Sequence, residues 1–179
     1  MLETNQSVAW YAVWTRSHCE RLVAGQLAAK GIPPFLPEMQ VRSLRRGAAT
    51  IVRAPMFPGY LFIHQALDKN CYVEMLKIRG FVRVLEDGWN RLTPIPDADM
   101  TAIQRIVEAD VPAFAHPHLS QGERVSIVDG PLTGIQGVFV RDGNASQGCL
   151  VISINLLGRS VAVAIDGDAV MPISSSKAA

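Results

Sequence analysis

Four histidines and three cysteines are the side chains of this sequence best suited to acid–base, nucleophilic or metal chemistry. Cys19, Cys71 and Cys149 stand far apart with no Cys-x-x-Cys pair, which indicates neither a zinc site nor a disulfide framework. His116 and His118 have no third ligand beside them. Cys71 falls inside a helical pattern, which favours a structural thiol over a nucleophile. We therefore expect no metal, no cofactor and no enzyme, and a cysteine enzyme built on Cys71 stays an open alternative.

Composition and charge narrow the class of protein further. The chain has 179 residues, 49% hydrophobic and 18% charged, which suits one globular domain or two small ones. No apolar run spans a bilayer and the N-terminus lacks a signal-peptide pattern, so a cytoplasmic protein away from membranes is expected. Residues 1–83 carry 11 Lys/Arg against 5 Asp/Glu, whereas residues 84–179 carry 6 against 11. The basic half either meets a polyanion or is an ordinary solvated surface.

The first segment reads as a strand followed by a helix. WYAVWT at 10–15 is the strand. Ser17 as N-cap and Glu20 three residues later form a capping-box pattern, and apolar residues then recur at helical spacing over 17–30. Gly31 is the expected C-cap.

The next segment, through residue 63, predicts a hairpin with Arg45 and Arg46 at its tip. Its second strand contains APMFPGYLFI, where the pair Pro58–Gly59 interrupts an apolar run. Proline lacks a ladder hydrogen bond and glycine weakens a strand interior, so we expect the pair at the entry to an edge strand. Phe57 would then point outward toward a partner.

Two further helices complete the N-terminal part. Asp68 is placed to cap a second helix with Tyr72, Met75 and Leu76 on its apolar side. FVRVL at 81–85 reads as a strand, and a third helix is predicted over 97–109. Strands mixed with helices in this order favour an α+β sandwich with helices against a mostly antiparallel sheet.

The C-terminal part of the sequence shows strand patterns and no helical pattern. Residues 111–120 contain prolines and show neither helical nor alternating hydrophobic periodicity, which predicts a flexible linker. Beyond it, five short strands separated by glycine, aspartate and asparagine turns predict a small β-barrel. In this barrel we expect positive φ at Gly130 and Gly134, and a bend or close approach at Gly137.

These motifs together resemble the NusG-like transcription factors. GERVSIVDGPLTGIQGVFV resembles a KOW motif, and WYAVWT, APMFPGYLF, GFVRVL and INLLGRSVAVAI follow in the order of that family. The resemblance implies an N-terminal NGN sandwich with an antiparallel sheet and three helices over 8–110, the linker 111–120, and a five-stranded SH3-like KOW barrel over 121–175. VRSLRRG and SINLLGRSVAVAID look closest to the specialised RfaH and UpxY-type paralogues.

The resemblance also implies a function and its residues. It implies an elongation and antitermination factor that suppresses pausing, acts as a monomer, binds the clamp helices of RNA polymerase and contacts the non-template DNA strand. The positions matching the polymerase-binding patch are Tyr11, Trp14, Phe57, Tyr60, Phe81 and Val84. The positions matching the DNA contact are Arg16, Gln26, Lys30 and Arg79. Leu156, Leu157 and Arg159 match the KOW loop that meets a small-subunit ribosomal protein or Rho.

Two other functions stay open. One is a general NusG-type factor that aids Rho-dependent termination. The other is a ribosome-associated protein that binds RNA with its KOW barrel, although residues 121–179 carry four Lys/Arg against five acids. The β-branched strands of this segment favour a stable barrel over the helical hairpin that RfaH can form.

Overall fold

The computed structural model of this chain describes residues 8–45, 48–87, 91–111, 113–116, 123–141, 147–154, 157 and 159–173. The helices in these ranges are α1 (Glu20–Ala29), α2 (Lys69–Leu76) and α3 (Asp97–Glu108). The strands are β1 (Ala9–Thr15), β2 (Pro34–Phe35), β3 (Glu38–Arg45), β4 (Ala48–Pro55), β5 (Tyr60–Gln65), β6 (Phe81–Val84), β7 (Glu86–Asp87), β8 (Arg91–Leu92), β9 (Ala113–His116), β10 (Glu123–Ile127), β11 (Gln136–Arg141), β12 (Gln147–Ile154), β13 (Arg159–Asp166) and β14 (Val170–Pro172). Contacts divide the chain into two compact units, one drawn from residues up to Glu38 and from 53–100, the other from 39–52 and from Thr101 onward.

The first unit contains a four-stranded antiparallel sheet in the order β2-β5-β1-β6. Tyr11 lies opposite Ile63, and Val13 lies opposite both Leu61 and Val84. Since side chains alternate along a strand, these five residues share one face of the sheet. Apolar side chains of α1 and α2 belong to the same core cluster: Val23, Leu27 and Met75. The two helices therefore cover this face.

Helix α1 is shorter at its start than the sequence predicts. It begins at Glu20 with Cys19 as N-cap and no side-chain cap, so the predicted capping box of Ser17 is wrong. The chain instead turns through His18, whose φ is 61°, and the Cys19 N–H donates to the Arg16 carbonyl at 3.0 Å. The helix ends as predicted, because Gly31 takes a φ of 75° and the Ile32 N–H returns to the Leu27 carbonyl at 3.0 Å.

The Pro58–Gly59 pair separates two strands. It forms a turn between β4 and β5 in which the Tyr60 N–H donates to the Phe57 carbonyl at 2.9 Å. Proline in the first central position and glycine at φ 86° in the second are the pattern of a type II turn. The predicted strand entry is confirmed, but the predicted edge strand is wrong, because β5 lies between β1 and β2. Strand β2 pairs only with Phe62 and Ile63, beyond the turn.

The other two helices agree with their sequence patterns. Asp68 caps α2, and its carboxylate accepts the Cys71 N–H at 2.7 Å. Met75 is buried, whereas Leu76 is 55% exposed and does not belong to the predicted apolar side. In α3, Met100, Ile103 and Ile106 are buried at helical spacing.

The second unit contains a six-stranded antiparallel sheet in the order β14-β10-β11-β12-β13-β9. The five strands from β10 to β14 match the five predicted from the sequence. The sixth, β9, lies within the segment predicted as an irregular linker, and that expectation is wrong at Ala113–His116. The segment pairs with β13, where Phe114 lies opposite Ala162, so its backbone groups are bonded within the sheet.

Glycines of the second unit behave as the sequence predicts. Gly130 and Gly134 take φ values of 85° and 88°. At Gly137 an added Cβ would lie 2.7 Å from the Val151 carbonyl oxygen, closer than real side chains approach backbone. The strands β11 and β12 can pack this closely at Gly137 because it has no side chain.

Candidate functional site

The six residues predicted to bind a polymerase divide between the two faces of the four-stranded sheet. Tyr11 and Val84 are fully buried in the cluster beneath α1 and α2. Phe81 packs against that cluster, and its ring lies 6.4 Å from the ring of Tyr72 on α2. The burial of Tyr11 and Val84 corrects the expectation that they contact a partner, since their side chains already fill the core.

The other three lie at the opposite face or in the turn before it. Trp14 of β1 lies directly across from Tyr60 of β5. Trp14 is 38% exposed and Tyr60 is half-buried. Phe57, in contrast, is 1% exposed, and its ring meets that of Phe62 edge to face at 5.6 Å. The expectation that Phe57 points outward is therefore wrong: its ring packs under the turn.

The exposed indole has a cationic neighbour that the sequence analysis missed. The guanidinium of Arg83 lies over the Trp14 ring, 5.2 Å from its centroid, within the range of a cation–π contact. Arg83 lies opposite Trp14 in the register of β1 and β6. The alternation in FVRV placed Arg83 away from the core, but its neighbour on β1 depends on strand pairing. Trp14, Tyr60 and Arg83 are called the indole surface below.

Backbone at the turn lies close to this surface. The Gly59 carbonyl accepts the Thr15 N–H at 2.8 Å and the Thr15 hydroxyl at 3.3 Å. A Cβ on Gly59 would lie 3.9 Å from atoms of the Trp14 indole. The pairing therefore ties the start of β5 to the end of β1 beside the exposed ring.

Three of the four positions predicted to contact DNA, Arg16, Gln26 and Arg79, are linked through hydrogen bonds at the loop between α2 and β6. The Gln26 carboxamide donates to the Arg79 carbonyl at 3.1 Å and accepts the Arg79 N–H at 3.2 Å. The Arg16 N–H donates to the Gly80 carbonyl at 2.8 Å. Arg16 and Arg79 are exposed, and neither forms a salt bridge within the described part of the chain. Gln26 thus holds the backbone of Arg79 and leaves its guanidinium outward.

Lys30, the fourth of these positions, is already paired. Its ammonium lies 2.6 Å from the Glu74 carboxylate, which also contacts Lys77. The hydrogen bonds from Lys30 and then Lys77 lower the pKa of Glu74 to about 2. Lys30 is therefore less available to a phosphate than Arg16 or Arg79.

Of the three residues predicted for the KOW loop, two lie in the described ranges. Arg159 is exposed at the start of β13, opposite Ile154, and Leu157 is half-buried. Leu156 lies outside the described residues. Strands β12 and β13 flank this loop, so the segment predicted to stay β is β in this structure.

Metal and thiol chemistry find little support in the described ranges. Within them, no group of three histidine, cysteine or acidic side chains could hold a metal ion. His116 lies on β9, whereas His118 falls outside the described residues. Burial, and then the charge of Asp68, raise the pKa of the Cys71 thiol, which disfavours the reactive thiolate. None of the described helices is long and apolar enough to cross a membrane.

Comparison with known proteins identifies the family. The NusG family, described as "Transcription termination factor nusG", matches residues 8–104, more than half of the chain. The chain therefore belongs to the NusG family, and as such is a transcription termination/antitermination factor with an NGN-type α+β domain. Within that family it is similar over nearly its whole length to bacterial proteins named for both activities.

Three relatives illustrate the likeness. The transcription termination/antitermination protein NusG of Thermus thermophilus is 27% identical over 180 residues, covering 89% of this chain and 96% of that protein. The Pseudomonas aeruginosa protein of the same name is 23% identical over 170 residues, covering 88% and 94%. A solved structure of Thermotoga maritima NusG, 20% identical, covers 94% of this chain and 98% of its own, with a TM-score of 0.56.

Proposed function

We propose that this chain binds RNA polymerase through the indole surface and keeps transcription moving past pauses or terminators, without catalysing a reaction. The observation that carries the proposal is an exposed tryptophan, Trp14, stacked by Arg83 beside the half-buried Tyr60. Aromatic residues and arginine are the side chains that dominate protein interfaces. The partner we propose is the clamp-helices coiled coil of the polymerase.

The remaining aromatics support this surface from below. Phe57 packs against Phe62, so it holds the turn in place and need not reach the partner. Tyr11 and Val84 belong to the core under the helices, and we assign them to folding. The proposed contact is thus smaller than the six-residue patch expected from the family resemblance.

We propose that Arg16 and Arg79 contact the non-template DNA strand. Arg16 and Arg79 are exposed, and their guanidinium groups form no salt bridge among the described residues. Guanidinium groups bind phosphate oxygens well, and such contacts add affinity without reading sequence. Lys30 would contribute less, since Glu74 already pairs with it.

For the C-terminal domain we propose recruitment of a second protein, a small-subunit ribosomal protein or Rho. Leu157 and Arg159 are the described residues proposed for that contact. We propose residues 8–110 as the polymerase-binding domain and residues 121–175 as the partner-binding domain. The stretches VRSLRRG and SINLLGRSVAVAID support a specialised, operon-specific paralogue. We propose that it acts in the cytoplasm as a monomer.

A binding measurement with purified core RNA polymerase tests the main proposal. Trp14→Ala should weaken binding by about 2 kcal/mol or more, the size of an interface hot spot. Leu76→Ala is the matched control, because Leu76 is exposed on α2 and lies outside the indole surface. Both variants should keep the far-ultraviolet circular dichroism of the parent. Equal binding by Trp14→Ala and the parent would refute the proposed surface.

A transcription assay separates the specialised from the general factor. On a template with a Rho-dependent terminator, a specialised antiterminator should increase read-through. A general factor that aids Rho should instead increase the terminated product, and that result would overturn the specialised assignment.

A further inference from the structure

A buried carboxylate lies under the turn beside the indole surface. Glu20, the first residue of α1, is 7% exposed. One of its carboxylate oxygens accepts the N–H of Gly59 at 2.7 Å. A carboxylate withdrawn from water needs a bonded partner, and a backbone N–H held at this distance supplies one.

The same peptide unit is held from its other side. The Gly59 carbonyl accepts the N–H of Thr15, which is 1% exposed, and the Thr15 hydroxyl is shared between the Gly59 carbonyl at 3.3 Å and the Arg16 carbonyl at 3.1 Å. Gly59 is therefore fixed between the end of β1 and the start of α1, two elements joined by the four residues 16–19. Its φ of 86° leaves few other residues able to take its place.

Neighbouring bonds hold the segments before the turn, at the start of β3 and in β4. Arg21, next to Glu20, donates through Nε to Glu38 at 2.7 Å and through Nη2 to the Arg53 carbonyl at 2.9 Å. The Met56 N–H donates to the Pro37 carbonyl at 2.9 Å. Neither the Arg21 bonds nor the Met56 bond reaches Gly59, whereas the Glu20 carboxylate does.

We infer that Glu20 is a positioning residue for the indole surface: its buried carboxylate fixes the Pro58–Gly59 turn and thereby the placement of Tyr60 beside Trp14. The inference deepens the proposed polymerase contact and rests on it. Glu20 does not touch the partner. Glu20 affects polymerase binding through its hydrogen bond to Gly59. Binding therefore depends on an acceptor atom at this position more than on the negative charge.

Two substitutions of similar size isolate the acceptor. Glu20→Gln keeps an oxygen that can accept the Gly59 N–H, whereas Glu20→Met fills the same space without an acceptor. Both remove the negative charge from the first turn of α1, so their difference does not depend on the helix dipole. Glu38→Gln and Glu38→Met make the same chemical changes at a half-buried carboxylate whose partner is Arg21, and they serve as matched controls.

Two readouts are measured on the full chain: affinity for core RNA polymerase, and the amide resonance and hydrogen exchange of Gly59 by NMR. Glu20→Gln should bind within about threefold of the parent, and Glu20→Met at least about tenfold more weakly, the size expected for a hydrogen bond to a charged or strongly polar group. In Glu20→Met the Gly59 amide proton should shift upfield and exchange faster. The Glu38 pair should change neither readout. If Glu20→Met does not fold, Glu20→Asp keeps the charge, shortens the reach and should show the same losses.

The outcomes separate the two proposals. Equal polymerase binding by Glu20→Gln and Glu20→Met would overturn the positioning role, as would a Gly59 amide that is the same in both. If the parent itself shows no affinity for the polymerase, the proposed function and the role of Glu20 in it both fail. The Gly59 resonance then still reports whether the hydrogen bond forms.

Discussion

At the end of β1 and the start of β5, the two faces of the four-stranded sheet differ in exposure. On the helix-covered face, Tyr11, Val13 and Leu61 are fully buried. On the other face, Trp14 follows Val13 and is 38% exposed, and Tyr60 precedes Leu61 and is half-buried. Ala12 and Phe62 on that face are buried. Strand β1 is apolar on both sides, so residue type alone does not separate core from interface.

The role of an aromatic residue in this unit depends on its burial and on its neighbours. Phe57 and Trp14 both flank the Gly59 turn, yet Phe57 is packed against Phe62 and Trp14 is stacked by an exposed arginine. A tryptophan left partly in water with a cation over its ring is suited to meet a partner. A phenylalanine packed edge to face inside the unit is suited to hold it together.

Truncating a residue on the helix-covered face should lower the free energy of unfolding most. Tyr11→Ala should lower the free energy of unfolding by about 3–5 kcal/mol, as for other large aromatic residues truncated in a core. Trp14→Ala on the same strand should lower it less, by about 1–2 kcal/mol, since the indole is 38% exposed. Urea denaturation followed by circular dichroism measures both. Equal losses of stability would remove the contrast between the two faces.

Phe57→Ala tests whether Phe57 stabilises the unit or contacts a partner. Because its ring is buried, we expect a loss of about 3 kcal/mol in unfolding free energy, with weaker polymerase binding as a secondary result. Phe57→Leu keeps most of the apolar volume and should recover much of the stability. Full stability of Phe57→Ala with lost polymerase binding would instead make Phe57 a contact residue.

Gly59→Ala should have a smaller effect. The added methyl group has room, with the closest atoms at 3.9 Å, so the cost comes from the φ of 86° and should be about 1–2 kcal/mol. Thermal unfolding measures the loss. Gly25→Ala, in the exposed middle of α1 with nothing near its added Cβ, is the control and should stabilise the protein. No loss in Gly59→Ala would show that the turn can relax.

Local signals in the sequence predicted the parts of the fold that depend on near neighbours. Asp68 caps α2 by bonding a residue three positions on, and Gly31 ends α1 through its own φ. The Ser17 capping box failed because Glu20 bonds Gly59, which is 39 residues away in sequence. No local pattern reveals such a partner.

The candidate site was predicted only in part for the same reason. The sequence and its family resemblance named Trp14 and Tyr60, but not Arg83, whose place over the indole follows from the pairing of β1 with β6. The residues of β9 were predicted to be linker because the strand has only four residues and lies near prolines. Its structure comes from pairing with β13, more than forty residues later.

A smaller effect concerns Lys30, whose ammonium pairs with Glu74 of α2, whereas Arg16 forms no salt bridge among the described residues. The hydrogen bonds from Lys30 and Lys77 lower the pKa of Glu74 to about 2. Because the folded-state pKa is lowered, the ion pairs stabilise the protein at neutral pH, and this contribution is lost as the pH falls from the ordinary glutamate range through about 2. An NMR titration of the Glu74 carboxyl should show the low midpoint, and Lys30→Met should raise it more than Lys77→Met, since the Lys30 hydrogen bond is the largest cause. A midpoint in the ordinary range for the parent would mean that Lys30 is free, and Lys30 would then rank with Arg16 and Arg79 as a candidate DNA contact.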